Sequence, residues 1–284
     1  MSAPPCRLYV LVAMDAPVAL IIRRGPADWW HLLRWDLERR VVEPGAWFGG
    51  MLYPRRCDIS PDGRYFGYFA LRNGRAPWDA FFAVSRTPWL SALAAWQTYG
   101  TYTIGCRFTR DGSLTISGAM QERPFHGRFP NKVAVEVGHT NWVRRDIQNE
   151  LKRGWRPPRE PLDLPLDPDE AAVVIQRTRP TGHGTALILA HTGVDFQRHS
   201  IEGVQVRYFR KDRDGRITPL PDAAWADWDH GGRLLLATRE GRVAIHEQKT
   251  VQDRRKGTWT ETWTHDLRDL EPAPAPAPDW AEGW

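Results

Sequence analysis

The chain has 284 residues, 42% of them hydrophobic, with a formal net charge of +5 and a pI near 9.3. That length holds one large β domain or two small ones, and that hydrophobic share excludes a disordered chain. The excess of 39 basic over 34 acidic residues is modest and Arg is spread along the chain, often beside acids; a dedicated nucleic-acid binder clusters its charge on one patch, so nucleic acid is not the expected partner.

Cysteine usage and the N-terminal stretch bear on compartment. Cys6, Cys57 and Cys106 are odd in number, which argues against a disulfide framework and for a reducing compartment. No basic segment followed by an apolar run and a small-residue cleavage site opens the chain. The run from Leu8 to Ile22 is broken by Asp15 and Pro17 and is too short to span a bilayer. These features predict a soluble, cytoplasmic protein with no membrane partner.

In chain order, Arg7 to Ala13, Val18 to Arg24, Trp29 to Asp36 and Arg40 to Glu43 read as four short strands separated by turns, the last stopping at Pro44-Gly45. A second group runs from about residue 53 to 100. It contains the hairpin Cys57 to Ala70, the strand Trp78 to Val84 and the stretch Ala92 to Tyr99, which fits a strand or, from Trp89 to Trp96, a short helix. A third group, 105 to 138, holds the hairpin Cys106 to Ala119 and a strand from Val133 to Val137. Thr140 to Gly154 reads as a helix, with Thr140 or Asn141 as N-cap, Val143, Ile147 and Leu151 on one stripe, and Gly154 as its stop. Arg156 to Pro168 is a Pro-rich connector with no strand of its own.

The fourth group, about 171 to 220, has runs at Ala172 to Arg177, Thr185 to His191, Val204 to Arg210 and Ile217 to Leu220. The fifth, about 224 to 270, has runs at Ala224 to Trp228, Arg233 to Thr238, Arg242 to Glu247 and Thr258 to Leu267. Within the last, Thr258 to Thr264 alternates strictly, which predicts one packed and one open face. From Ala273 a Pro-Ala tail leads to Trp280 and Trp284, rings placed to dock on a partner or back on the body, or else to fray.

Two stretches match each other most closely. Cys57-Asp-Ile-Ser-Pro-Asp-Gly and Cys106-Arg-Phe-Thr-Arg-Asp-Gly share Cys, a large apolar residue, Ser or Thr, and Asp-Gly at the same offsets, and both end on Ala. Asp-Gly is a tight-turn signal, so each reads as a hairpin. Ala226 to Ala237, with Asp229-His-Gly-Gly, is a looser third copy. Trp35-Asp36-Leu37 leading to Glu43-Pro44 is echoed by His265-Asp266-Leu267 leading to Glu271-Pro272. Hairpins recurring at this scale mark a repeat architecture.

The hairpins at Ser60-Pro61-Asp62-Gly63 and Thr109-Arg110-Asp111-Gly112, each followed by an apolar strand, resemble blades of WD40-like and TolB-type β-propellers, and Trp35-Asp36 matches the Trp-Asp that closes a WD40 repeat. The resemblance implies an all-β propeller. The expected architecture is a single domain, 1–272, of five four-stranded blades near 7–48, 53–100, 105–138, 171–220 and 224–270, with a helix and linker insertion at 140–170 and a tail at 273–284. Propellers host many functions, so the resemblance implies a fold and a platform role rather than an activity.

No catalytic, cofactor or metal motif stands out. His183, His191 and His199 are evenly spaced, but no Cys-x-x-Cys or His-Glu-x-x-His accompanies them. No Gly-x-Ser-x-Gly and no P-loop ending is present. Asp58, Asp227 and Asp229 fall on equivalent inner strands, and paired carboxylates there would suit glycan hydrolysis. The abundant Trp fit packing between sheets better than ligand stacking. The irregular part, 121 to 159, mixes cations with aromatics as binding hot spots do. Its candidate partner-binding residues are Arg123, Phe125, His126, Arg128, Phe129, Trp142, Arg145 and Trp155. The expected function is a non-catalytic scaffold that binds another protein and needs no cofactor. A glycan-binding or glycan-cleaving propeller and a nucleic-acid accessory protein are the alternatives.

Overall fold

The computed structural model describes residues 6–72, 74–136, 145–167, 173–182, 184–194, 200–249 and 258–284. The expected N-cap at Thr140 or Asn141, Val143, Trp142, His183 and His199 lie outside the described residues. The fold is all-β. The chain divides into two compact units, one of Val10–Asn149 with Glu271–Trp284, the other of Met1–Tyr9 with Glu150–Leu270. Among the described residues no helix is long and apolar enough to cross a membrane.

The first sheet is β1 (Arg7–Val12), β2 (Val18–Arg24), β3 (Trp29–Asp36) and β4 (Val41–Gly49), hydrogen-bonded in chain order. In β2, Val18 to Arg23 are all buried, as expected of an inner strand covered on both faces. The expected stop at Pro44-Gly45 is not one. β4 runs through it, and the register passes from Leu33–Pro44 to His31–Trp47, so β4 carries one extra residue. Pro is tolerated because β4 is an edge strand with a bulge, where no ladder donor is required of it.

The second sheet holds β5 (Met51–Leu52), β6 (Asp58–Ile59), β7 (Tyr65–Leu71), β8 (Ala80–Arg86), β9 (Ala94–Phe108), β10 (Leu114–Met120), β11 (His126–Gly127) and β12 (Val133–Glu136). Its path is β12-β10-β9-β8-β7-β5, with β11 on β9 and β6 on β7. The expected second and third groups are thus joined through β9, which both share. The 15-residue β9 pairs with β8 through Ala94 to Gln97 and with β10 through Thr103 to Phe108. Between these stretches Tyr99 and Tyr102 bulge into solvent. The run from Trp89 to Trp96 is not helical, and β12, at the strand expected after the second hairpin, pairs with β10 in parallel. Phe69, Phe82, Trp96, Cys106, Phe108, Leu114, Ile116 and Phe129 form the core of this sheet.

A short helix, α1 (Gln148–Lys152), ends on Gly154 at φ +94°. The Gly154 N–H donates to Leu151 O and the Trp155 N–H to Glu150 O, the paired bonds of a Schellman cap. The connector after it is not bare. Leu162, Leu164 and Leu166 pack against Ile188, Ala190 and Phe209, spaced by tight turns in which Leu164 N–H donates to Leu162 O and Leu166 N–H to Leu164 O. These leucines cover the third sheet, β13 (Val173–Thr178), β14 (Ala186–Val194), β15 (Val204–Lys211) and β16 (Ile217–Pro219). The fourth sheet is β17 (Ala223–Trp228), β18 (Leu234–Thr238), β19 (Arg242–Lys249) and β20 (Thr258–Asp266). A bulge at Thr262 breaks the expected alternation of β20, because Trp263 pairs with Ile245 while Glu261 pairs with His246. That extra residue puts Trp259 and Trp263 on opposite faces. Trp259 packs on Trp228, and Trp263 stacks on His265.

Three of the hairpin loops share one design. Gly112 N–H donates to Thr109 O, Gly215 N–H to Asp212 O, and Gly232 N–H to Asp229 O. Thr109, Asp212 and Asp229 in turn donate their own N–H to Ser113, Arg216 and Arg233 O. Each is a type I turn followed by a left-handed residue, at φ +78°, +86° and +74°, which is why glycine stands there. Asp111 accepts from the Thr109 hydroxyl and from the Ser113 N–H and hydroxyl, and these bonds hold its carboxyl below the usual range. All three cysteines are buried and none forms a disulfide.

Two buried polar groups carry testable energetics. On the first sheet Arg23, His31 and Trp47 form one cross-strand row, with the His31 ring stacked 4.0 Å from Trp47. Burial first, and the Arg23 charge second, lower the His31 pKa to about 4; the Gly45 backbone opposes them weakly. His31 is thus neutral in the folded chain at pH 7, while its unfolded form protonates near 6.5. Its contribution is intact above pH 6.5 and is lost as pH falls toward 4, a swing of roughly 3 kcal/mol. Urea midpoints at pH 7 and pH 4.5 should differ more for the wild type than for His31→Phe, which keeps the stack but cannot titrate. On the fourth sheet Asp227 is buried between Arg153, at 2.5 Å, and Arg177. Burial pushes its pKa up, but the Arg177 and Arg153 guanidiniums outweigh it and hold the carboxyl below the usual range. Asp227→Asn should destabilise by about 3–5 kcal/mol in denaturant unfolding, because it strands two enclosed cations.

Candidate functional site

The loop from 121 to 132 is tied to β9 and then turned outward. Gln121 N–H donates to Gln97 O and Phe125 N–H to Ala95 O, and β11 pairs His126 with Ala95 and Gly127 with Ala94. Phe125 and His126 pack on Trp78, at 4.7 and 5.5 Å between ring centroids, and His126 Nε2 lies 2.9 Å from Ala92 O. Phe129 turns inward, 4% exposed, against Phe108 and Tyr65. Lys132 O then accepts from the Leu114 N–H, and Asn131 Nδ2 donates to Gly112 O, which anchors the far end of the loop on the second hairpin.

Between these anchors lies a pocket of about 390 Å³. Trp96, Phe129, Val133 and Val135 supply its apolar walls, Pro124 and Pro130 its stiff edges, and Glu122, Arg128, Asn131 and Lys132 its polar groups. Arg123, Arg128 and Lys132 are exposed, and their side chains have no hydrogen-bond or ion-pair partner among the described residues. Two unpaired cations against one carboxylate leave the rim net positive. Such a pocket suits a peptide that presents a carboxylate beside an apolar side chain; no group in it is arranged as nucleophile and base.

A second contact lies on the same inward ring. The Trp284 ring sits 5.5 Å from Tyr65 and 5.4 Å from Phe129, and Arg86 Nε donates to Gly283 O at 2.6 Å. A single 3₁₀ turn, Asp279–Ala281, precedes it, with Ala281 fully buried. Of the two tail rings, Trp284 docks back on the body, while Trp280 stays 57% exposed.

The eight residues expected to form one contact surface are thus dispersed. Arg123, Phe125, His126, Arg128 and Phe129 share the 121–132 loop. Arg145 is half-buried and spent on Asp146, which it grips at 2.8 and 2.9 Å. Trp155 is fully buried and packs edge-on against Tyr208 in the other unit. Trp142 lies outside the described residues. The burial of Trp155 follows from its place just after the Gly154 cap, where an apolar residue folds back on its helix. Trp96, Asn131, Val133 and Val135 in the pocket, and Tyr65 and Arg86 under the tail, are strand or turn residues with no local mark of function.

The inner-strand carboxylates have other partners. Asp58 accepts from the Phe108 N–H at 2.7 Å, Asp227 pairs with two arginines, and Asp229 accepts from the backbone and the guanidinium of Arg233. The depressed Asp227 pKa is the reverse of what a general acid needs. Among the described residues no group of three or more His, Cys, Asp or Glu could hold a metal ion.

No protein-family model matches the chain, and no curated protein matches it. Among solved structures it is similar to an uncharacterized protein from Listeria monocytogenes EGD-e, with 8% identity and a TM-score of 0.26 over 86% of this chain and 60% of that one. It is also similar to Kuenenia stuttgartiensis hydrazine synthase, with 13% identity and a TM-score of 0.20 over 84% of this chain and 51% of that one. The chain thus spans only about half to three-fifths of the structures it matches. These comparisons assign it to no family, WD40-like and TolB-type propellers included.

Proposed function

We propose that this chain is a non-catalytic module that binds another protein, with its sheets serving as blades of a β-propeller and the 121–132 loop as its contact surface. The up-and-down order of the first, third and fourth sheets supports the blade reading. The shared strand β9 makes the second and third blades one continuous sheet.

One observation carries the binding role: Arg128 and Lys132 are exposed on an aromatic-walled pocket and, like Arg123 on the same loop, have no partner among the described residues. Several other arginines are paired, as at Asp146, Asp212, Asp227 and Asp266. Unpaired cations on an anchored loop steer an acidic partner toward the pocket, and the buried Phe129 and Trp96 supply a rigid apolar floor. The partner chemistry that fits is an acidic, partly apolar peptide segment.

The test is capture from native lysate with the wild type and with an Arg128→Glu, Lys132→Glu double variant, followed by binding kinetics on the purified partner. The wild type should retain a stoichiometric protein. The variant, folded by circular dichroism, should associate roughly tenfold more slowly and with weaker salt dependence. Equal association by both chains would remove this loop from the interface.

A further inference from the structure

Ala273 to Pro276 are exposed, yet the segment beyond them returns to the unit built from residues 10–149. There it is held by Arg86, Tyr65 and Phe129. Arg86 has two roles: its Nε takes the Gly283 carbonyl, and its guanidinium lies 5.5 Å over the Tyr65 ring. The Trp284 indole meets Tyr65 tilted at 56° and Phe129 edge-to-face at 68°, the latter a geometry that aromatic rings favour.

This arrangement has the parts of a peptide-recognition site: a fixed donor for a backbone carbonyl, and a two-ring cleft for the following side chain. A methyl group on Gly283 would meet nothing within 4 Å, so the groove reads the carbonyl and the indole and not the glycine. The tether is alternating Pro-Ala, which is extended and semi-rigid. A ligand on such a tether sits at an effective concentration on the order of millimolar, enough to occupy a weak site and still exchange. Trp284 remains 42% exposed, so the cleft covers it only in part.

We propose that Tyr65, Arg86 and Phe129 form a site for a tryptophan-bearing peptide, that residues 279–284 occupy it in cis, and that a partner's segment of the same chemistry displaces them. The proposal rests on the reading of this face as a protein-contact surface and shares Phe129 with it. It does not use Arg128 or Lys132, so the two readings fail separately.

The experiment uses full-length chains and a dye-labelled, end-capped peptide, Asp-Trp-Ala-Glu-Gly-Trp, followed by fluorescence anisotropy. Trp284→Ala should bind the peptide, and the wild type should bind it about tenfold more weakly, because its own tail competes. Adding Arg86→Ala to Trp284→Ala should weaken binding severalfold, and a peptide with Ala at its last position should not bind. With 5-fluorotryptophan in the wild type, excess unlabelled peptide should shift the resonance assigned to Trp284. Equal affinities of the wild type and Trp284→Ala, no binding by Trp284→Ala, or an unmoved resonance at peptide saturation would each overturn the proposal. Loss of partner capture in the Arg128, Lys132 variant with peptide binding intact would leave it standing.

Discussion

The tight hairpins turn on one backbone position that an ordinary residue cannot hold cheaply. In the Thr109–Ser113, Asp212–Arg216 and Asp229–Arg233 loops the fourth residue is a left-handed glycine. A β-carbon there costs about 1–2 kcal/mol. Loop length sets register, and a slip of one residue would turn every following side chain to the other face. In the second hairpin such a slip would expose Leu114 and Ile116, which alternate with exposed or half-buried neighbours along β10. The aspartate before the glycine reinforces the turn by accepting from the N–H two residues on, as Asp111 does from Ser113 and Asp214 from Arg216. The packing of these sheets therefore depends on a few capped turns more than on any one apolar contact.

Much of the strand order could be read from the residues alone, because Gly, Pro and Asp-Gly punctuate the apolar runs. Val18–Arg24, Trp29–Asp36 and Val204–Lys211 lie where continuous or alternating apolar stretches put them. The failures share a cause: tertiary context overrode a local signal. Pro44 looked like a terminator, but an edge strand has no inner ladder bond to lose there. The alternation of Thr258 to Thr264 looked unbroken, but the bulge at Thr262 leaves no local mark in the residues. The leucines of the Pro-rich connector were legible only as spacing, and their burial depends on a sheet that follows in the chain.

The candidate surface was half legible for the same reason. A loop crowded with cations and aromatics stands out, and Arg123, Phe125, His126, Arg128 and Phe129 all lie on it, with Phe129 turned into the core. Residues further along share that composition but serve other ends, since Arg145 is neutralised by Asp146 and Trp155 is swallowed by a core. Trp96 and Tyr65 carry no such mark, because a strand residue declares only its face and not what the neighbouring loop will leave uncovered.

The long strand β9 has a thermodynamic consequence. A polypeptide segment that donates its first half to one group of strands and its second half to another cannot leave either without disturbing both. The residues from Met51 to Glu136 should therefore melt as one cooperative block, with slow amide exchange at Trp96 and Cys106 lost in concert. The exposed arch at Tyr99 to Tyr102 would open more readily than the two strand halves it joins.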